Sequence, residues 1–290
     1  MKIRARLDES NPIFSFEFFP PKTAEGEEQL FATIEQLKPL DPAFVSITYG
    51  AGGHSRGQTV QLAARIKHDI GLESMAHLTC VGASRGEIRE VLQQLAAAGI
   101  ENVLPLRGDP PRDLAGFVRP LDGFGYASEL VSFIRGEGFD FCLAGAGYPE
   151  KHPESPDMDS DLRNLKHKVE CGLDLLITQL FFDNTDYHTF LRRVREIGIR
   201  IPIIPGIMPI TDYNQIERIS ALCGARIPLD LRRRLEPVRD DHGAVRDIGI
   251  EHATAQCRDL LAAGAPGIHF YTLNRSTATR AIVAELERTA

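Results

Sequence analysis

Glu17 is the residue best placed to do chemistry. It is a single carboxylate in the apolar run Ile13-Phe14-Ser15-Phe16-Glu17-Phe18-Phe19, which Pro20-Pro21 terminate. A carboxyl in such a run must find a partner, keep its proton or stand at an opening. Burial raises its proton affinity and suits it to act as an acid near neutral pH. The plainer readings are a structural ion pair or a solvent-facing edge. A second acid, Asp109, closes the turn Arg107-Gly108-Asp109 after another apolar run. His77 lies within Met75-Ala76-His77-Leu78-Thr79-Cys80, where a satisfied core histidine is commoner than a ligand.

Other chemistries lack their parts. No two histidines share a strand at metal-ligand spacing and H-E-x-x-H is absent, so no metal site is expected. No lysine ends a strand to form a Schiff base: Lys22 lies past the prolines, and Lys166 and Lys168 belong to a helix. The serine nucleophile elbow is missing. One buried acid, an Arg-Gly-Asp turn, a tyrosine and amide groups suit proton donation beside a bound organic cofactor that carries the harder chemistry.

Eight strand-then-helix units position these groups. The expected strands are 13–19, 44–49, 75–80, 102–106, 139–144, 173–182, 201–209 and 267–273. The expected helices include 24–37, one after Ser84 with Glu87 at capping-box spacing, 126–135, 187–197, 212–222, 250–262 and 278–286. The seventh strand, with Pro202, Pro205 and Pro209, calls for irregular pairing. The segment 224–246 breaks the repeat and reads as an insert, with a short charged helix at Leu229–Leu235 laid outside the core. This alternation predicts a single (β/α)8 TIM barrel over residues 1–290, an α/β fold. A doubly wound open sheet is the competitor, but no strand runs into a clean G-x-G-x-x-G; Gly145-Ala146-Gly147 is the nearest approach. Such a barrel gathers its site at the C-terminal strand ends. Those ends carry Glu17, Thr48 with Tyr49, His77, Arg107 with Asp109, Tyr148, Gln179, and Asn274 with Arg275.

Composition narrows the class. The chain has 290 residues, 43% hydrophobic and 25% charged, as in ordinary globular proteins. A net charge of -7 argues against nucleic acid as the main partner. No apolar run approaches the ~18 residues of a membrane span, and no signal peptide opens the chain. Five scattered cysteines without a C-x-x-C pair predict a reducing, cytoplasmic setting.

Eight motifs, in this order, make the chain resemble the 5,10-methylenetetrahydrofolate reductase family. They are Ser15-Phe16-Glu17-Phe18-Phe19-Pro20-Pro21, Thr48-Tyr49-Gly50-Ala51, His77-Leu78-Thr79-Cys80, Leu106-Arg107-Gly108-Asp109, Tyr148-Pro149-Glu150 with His152-Pro153, Thr178-Gln179 with Phe181-Phe182-Asp183, Pro205-Gly206-Ile207, and His269-Phe270-Tyr271-Thr272-Leu273-Asn274-Arg275. The short bacterial form, without a C-terminal regulatory domain, is the one it resembles. The resemblance implies a barrel that holds FAD. It implies NADH, with NADPH as the alternative, as the donor that reduces the flavin and leaves. Methylenetetrahydrofolate then enters and becomes 5-methyltetrahydrofolate. It implies Glu17 as the acid that helps open the folate's bridging ring, Asp109 as the acid near flavin and pterin, and Gln179 as a substrate-binding amide. Thr48, His77, Leu106, Arg107, Gly108, Asp109, Tyr126, Ala127, Ala146, Tyr148, His152, Asp161, Lys168 and Ile177 match flavin-binding positions. Gln215, Ile219 and Arg275 match substrate-side positions. A homo-oligomer is also implied. Three places depart from the family's pattern: the loop 52–59, Gly147 in place of an alanine beside the flavin face, and Ile219 in place of an aromatic. Rival readings are a barrel fed by a protein electron donor and a silent folate- or flavin-binding subunit.

Overall fold

The computed structural model describes residues 1–7, 11–49, 56–109 and 120–288. The expected loop features Gly50 to Ser55 and Pro110-Pro111 lie outside the described residues. Among the described residues, nine parallel strands form one sheet: β1 (Ile13–Phe18), β2 (Phe44–Ile47), β3 (Ser74–Thr79), β4 (Asn102–Leu106), β5 (Cys142–Gly147), β6 (Leu175–Thr178), β7 (Ile203–Ile204), β8 (Gly206–Ile207) and β9 (Gly267–Tyr271). Their order is β7-β6-β5-β4-β3-β2-β1-β9-β8. β7 and β8 are two halves of one strand, split at Pro205, which has no N–H to donate. The first half pairs with β6 and the second with β9, so the sheet curls into a barrel. The irregular pairing expected of the seventh strand takes this form.

Alternation divides the side chains. On β1, Phe16 and Phe18 face out into a cluster shared with Leu30 and Ile34 of α2 (Ala24–Leu37). Ser15 and Glu17 face in. The inner face near the strand starts is apolar: Ile13, Phe44, Met75, Leu104, Cys142, Ala144, Leu175, Ile177 and Ile204 pack together. A short helix, α1 (Ile3–Arg6), supplies Ile3 to this cluster. Its Ile3 N–H donates to Asn102 Oδ1 at 2.8 Å. Sequence periodicity missed α1 because one turn carries too little pattern.

The remaining helices are α3 (Arg56–Arg65), α4 (Arg85–Ala97), α5 (Ala127–Gly136), α6 (Met158–Glu170), α7 (Asn184–Glu196), α8 (Tyr213–Cys223), α9 (Leu229–Leu235), α10 (His242–Ala262) and α11 (Thr277–Glu287). The Ser84–Glu87 capping box forms as expected. Among the described residues, no helix is long and apolar enough to cross a membrane.

Three elements differ in their bounds and one in its burial. β5 begins at Cys142 rather than 139, where the Cys142 N–H donates to the Glu101 carbonyl at 2.8 Å, and it ends at Gly147 rather than 144. Gly145-Ala146-Gly147 thus lie within the strand, where the connection from α6 to β6 comes close: a Cβ on Gly145 would stand 2.3 Å from Leu173 Cδ1. β6 is shorter than the expected 173–182 and ends at Thr178. α10 starts at His242, eight residues before the expected 250, because Asp241 accepts hydrogen bonds from the N–H groups of Gly243 and Ala244. α9 is less external than its charge suggested. Leu231 and Leu235 are buried with Tyr213 and Ile216 of α8, while Arg232 and Arg234 pair outward with Glu217 and Glu251.

Candidate active site

Glu17 is 8% exposed and points into the barrel at the C-terminal end of β1. Its Oε2 lies 3.3 Å from His269 Nε2 on β9 and 3.5 Å from His77 Nε2 on β3. Thr272 Oγ1 donates to its backbone carbonyl at 2.7 Å. His269 is fully buried; its Nδ1 contacts Ser15 Oγ at 2.8 Å. Phe44 stacks on the His269 ring at 5.7 Å and Tyr271 meets it edge-on at 5.4 Å.

This environment corrects the expected protonation. Phe16 and Phe18 lie on the opposite face of β1 and Phe19 is exposed, so its neighbours in sequence do not surround the carboxyl. Burial pushes Glu17 up, but His77, His269 and Ser46 together outweigh it and hold the carboxyl below its ordinary range. His77 moves down, chiefly because burial disfavours its charged form, against the pull of Glu17. Glu17 is thus a carboxylate among imidazoles in the ligand-free chain.

A second group gathers around the ends of β4 and β5. Arg107 makes a two-pronged pair with Glu154, at 2.6 Å for both Nη1 and Nη2. Gly108 has a φ of +80° and a Cβ there would stand 2.8 Å from Val81 Cγ1, so this turn requires glycine. Asp109 is exposed, and its charge reaches Arg107, Tyr148 and Cys223. Burial pushes the Tyr148 phenol up to about 12, and its ring meets His152 edge-on at 4.7 Å. Asp161 accepts from the His152 N–H at 3.2 Å and from Ser155 Oγ at 3.0 Å. Lys168 reaches down from α6 and donates to the Ala146 carbonyl at 2.7 Å. Burial lowers its pKa to about 8, against the pull of Asp161.

The other expected residues fall in three places. Leu106 and Ile177 join the inner apolar cluster. Gln179 lines a small cavity with Tyr148 and Cys223, and its Oε1 accepts from the Leu180 N–H at 2.9 Å. Tyr126 caps α5 and is 64% exposed, Ala127 opens that helix, Gln215 and Ile219 lie one turn apart on α8, and Arg275 is exposed after β9. The Arg275 N–H donates to the Thr272 carbonyl at 3.0 Å, but among the described residues no side-chain hydrogen bond or ion pair ties the side chains of Tyr126, Gln215 or Arg275 to the groups around Glu17 or Lys168. Gly147 turns its missing side chain outward, where a Cβ would meet Phe190 Cζ of α7 at 3.0 Å, rather than toward the barrel mouth. Sequence reading missed His269, Ser15 and Tyr271 as site residues. His269 and Tyr271 stood in a quoted motif, and their i, i+2 spacing put both on the inner face, which was the available signal. Tyr271 Oη donates to the Thr178 carbonyl at 2.6 Å and thereby joins β9 to β6.

Among the described residues, Thr48 Oγ1 and His77 Nε2, both buried near the barrel mouth, make no hydrogen bond. Such orphans cost free energy unless a ligand satisfies them. Together with the half-buried Lys168, they fit a polar, anionic ligand with hydrogen-bonding ring atoms. A cavity of about 520 Å³ lies elsewhere, on the outer surface between α4, α5 and α6, and none of these groups lines it.

A methylenetetrahydrofolate reductase family model matches residues 2–287. The chain is 42% identical to methylenetetrahydrofolate reductase (NADH) 1 of Arabidopsis thaliana, over 94% of this chain and 48% of that protein. It is 39% identical to 5,10-methylenetetrahydrofolate reductase of Escherichia coli (strain K12), over 92% of this chain and 88% of that protein. It therefore spans about half the length of the plant relatives and most of the bacterial one. Among solved structures, an uncharacterized Clostridium thermocellum protein that binds two copies of 5-methyl-5,6,7,8-tetrahydrofolic acid shares the fold. Its TM-score is 0.64 at 16% identity, over 99% of this chain and 100% of that one. The motifs and the family match agree along the whole barrel, and the chain belongs to the methylenetetrahydrofolate reductase family.

Proposed function

We propose that the chain reduces 5,10-methylenetetrahydrofolate to 5-methyltetrahydrofolate, taking electrons from NADH through bound FAD, in the cytoplasm and as a homo-oligomer. The observation that carries this reading is Glu17, an acid held inside the barrel mouth of a chain that matches the reductase family from end to end. Relatives named for NADH support that donor over NADPH.

The residues divide the work. Thr48 and His77 would meet the flavin's polar edge with their orphaned atoms, and Lys168 and Arg107 would offset its pyrophosphate. Arg107 must exchange Glu154 for that partner, whereas Lys168 gives up only a carbonyl. Leu106, Gly108, Tyr126, Ala127, Ala146, Tyr148, His152, Asp161 and Ile177 complete the cofactor surface in this reading. Gln179, Gln215, Ile219 and Arg275 hold substrate. Bound FAD would supply hydride transfer between the nucleotide and the folate. Glu17 brings a proton to the bridging ring's leaving nitrogen, and ring opening makes the folate carbon electrophilic enough to accept hydride.

The first test is the visible spectrum. Purified protein, or protein incubated with FAD and desalted, is expected to be yellow and to bleach on addition of NADH. A chain that stays colourless after FAD incubation overturns the cofactor reading, and one that binds FAD without NADH bleaching overturns the donor. A mass by light scattering that equals one chain removes the homo-oligomer.

A second expectation concerns Asp109. A carboxylate beside the flavin disfavours added negative charge on its reduced ring and so lowers its reduction potential. Asp109→Asn is expected to raise that potential and to weaken folate binding, measured by dye-coupled titration and by equilibrium binding. An unchanged potential and affinity together remove Asp109 from this role.

A further inference from the structure

The proposed function asks Glu17 for a proton, yet its surroundings favour the carboxylate. The proton must be held by something in contact with it. Two imidazoles touch the same oxygen, and they are not equivalent. His269 Nε2 makes a hydrogen bond to Glu17 Oε2 at 3.3 Å, whereas His77 Nε2, at 3.5 Å, lacks hydrogen-bond geometry. His269 also has a partner on its far side, Ser15 Oγ at 2.8 Å, and Ser15 Oγ lies 3.5 Å from the Ile268 carbonyl.

That far-side partner allows either charge state. A hydroxyl donates or accepts by rotating. With a neutral His269, Ser15 donates to Nδ1 and leaves Nε2–H directed at Glu17. With a charged His269, Nδ1–H donates to Ser15, whose own proton turns toward the Ile268 carbonyl. Neither state leaves a buried polar atom of the Ser15–His269–Glu17 row without a partner, which is the condition for a proton to reside there.

We propose that His269, oriented by Ser15, is a positioning residue that shares one proton with Glu17, so that the Glu17–His269 pair and not the lone carboxyl is the acid of the folate step. This rests on the function proposed above. The step moves one proton and no electrons within the protein. The proton on His269 Nε2 passes to Glu17 Oε2, and Glu17 delivers it to the leaving nitrogen as the carbon–nitrogen bond of the bridging ring breaks and its electron pair takes that proton. The pair then recovers a proton from solvent. The titratable groups facing the pair are His77 from β3 and Tyr271 from β9, with Tyr148 and Cys223 beyond Tyr271. Burial disfavours the charged forms of His77 and Tyr271, so neither competes for the proton.

Two measurements on the full chain decide this. In a pH titration by NMR of flavin-free protein carrying 13C-glutamate and 15N-histidine, the Glu17 carboxyl and His269 ring signals are expected to move over one common pH interval, because coupled groups titrate as a pair. Assignment uses Glu17→Gln and Ser15→Ala. A carboxyl that titrates where His269 is silent overturns the proposal. In single-turnover oxidation of reduced enzyme by methylenetetrahydrofolate, the acid must be protonated, so the rate falls as pH rises. His269→Gln is expected to slow this step about 10–100-fold at neutral pH, the scale of a misplaced catalytic group. It is also expected to move the falling limb to lower pH, since a carboxyl alone holds a proton less well than a carboxyl–imidazole pair. Ser15→Ala removes the acceptor of the charged ring's Nδ1–H and is expected to move the limb the same way, which keeps the test usable if His269→Gln does not fold. A limb unmoved in the variants that fold overturns the proposal. If Glu17→Gln leaves the folate step intact, the proposed function fails; if only the limb shifts are absent, this inference alone fails.

Discussion

Glu17→Gln is expected to slow reoxidation of the reduced enzyme by methylenetetrahydrofolate by about 10²–10⁴-fold, the usual worth of a general acid. Flavin reduction by NADH is expected to change little. The two half-reactions differ in one requirement. Hydride transfer from nucleotide to flavin needs no proton at the substrate. The folate is a poor hydride acceptor until its bridging ring opens, and opening needs a proton on the leaving nitrogen. Glutamine keeps the length and hydrogen-bonding capacity of the side chain but has no carboxylic proton to give. The backbone around it is held independently, by Thr272 Oγ1 on the Glu17 carbonyl and by pairing with β2 and β9, so the substitution leaves the strand in place. Stopped-flow traces of the two half-reactions measure the split. Equal slowing of both makes Glu17 a structural residue and moves the proton source elsewhere.

The environment of Glu17 also shows where sequence reading stops. That a carboxylate in Ile13–Phe18 would stand inside a barrel at a strand end was legible from composition and alternation alone. That its neighbours would be imidazoles was not. Phe16 and Phe18 flank it in the chain, but a period of two sends them to the helix layer. Its actual partner, His269, lies 252 positions away and reaches it only through the pairing of β1 with β9. Local signals fared better: the Ser84–Glu87 box and the prolines of the seventh strand act on their own backbone, and both had the expected effect. The start of α10 was misplaced because Asp241-His242-Gly243 has a cap but little apolar periodicity, so the helix was read only from 250 onward. The glycines of β5 were left outside the expected strand 139–144 because their cause, the close approach of Leu173 and Phe190, comes from tertiary packing.

Gly206→Ala is expected to destabilise the fold by about 1–3 kcal/mol or more, the range for overfilling a packed site whose neighbours cannot retreat. Gly206 opens β8, just after the Pro205 break, and its φ is ordinary, so space is the obstacle and not backbone conformation. An added Cβ would stand 2.3 Å from the Thr178 carbonyl oxygen and 2.6 Å from Tyr271 Cε2. The first obstacle is backbone and cannot rotate away. The second holds the barrel closed on the inside: Tyr271 Oη donates to that same carbonyl at 2.6 Å, and the Gly206 N–H donates to Thr178 Oγ1 at 2.9 Å. A methyl group there must part β6 from β8 or push Tyr271 off Thr178. Since Tyr271 lies edge-on to His269, the second route disturbs the partner of Glu17 as well. Urea unfolding gives the measurement, with a lower midpoint at unchanged slope as the expected result. Gly136→Ala is the control: a Cβ there meets nothing within 4 Å, and replacing a helical glycine by alanine stabilises by up to about 1 kcal/mol. If Gly206→Ala unfolds at the same urea concentration as the parent chain, the close approach of β8 to Thr178 and Tyr271 is not what closes this barrel.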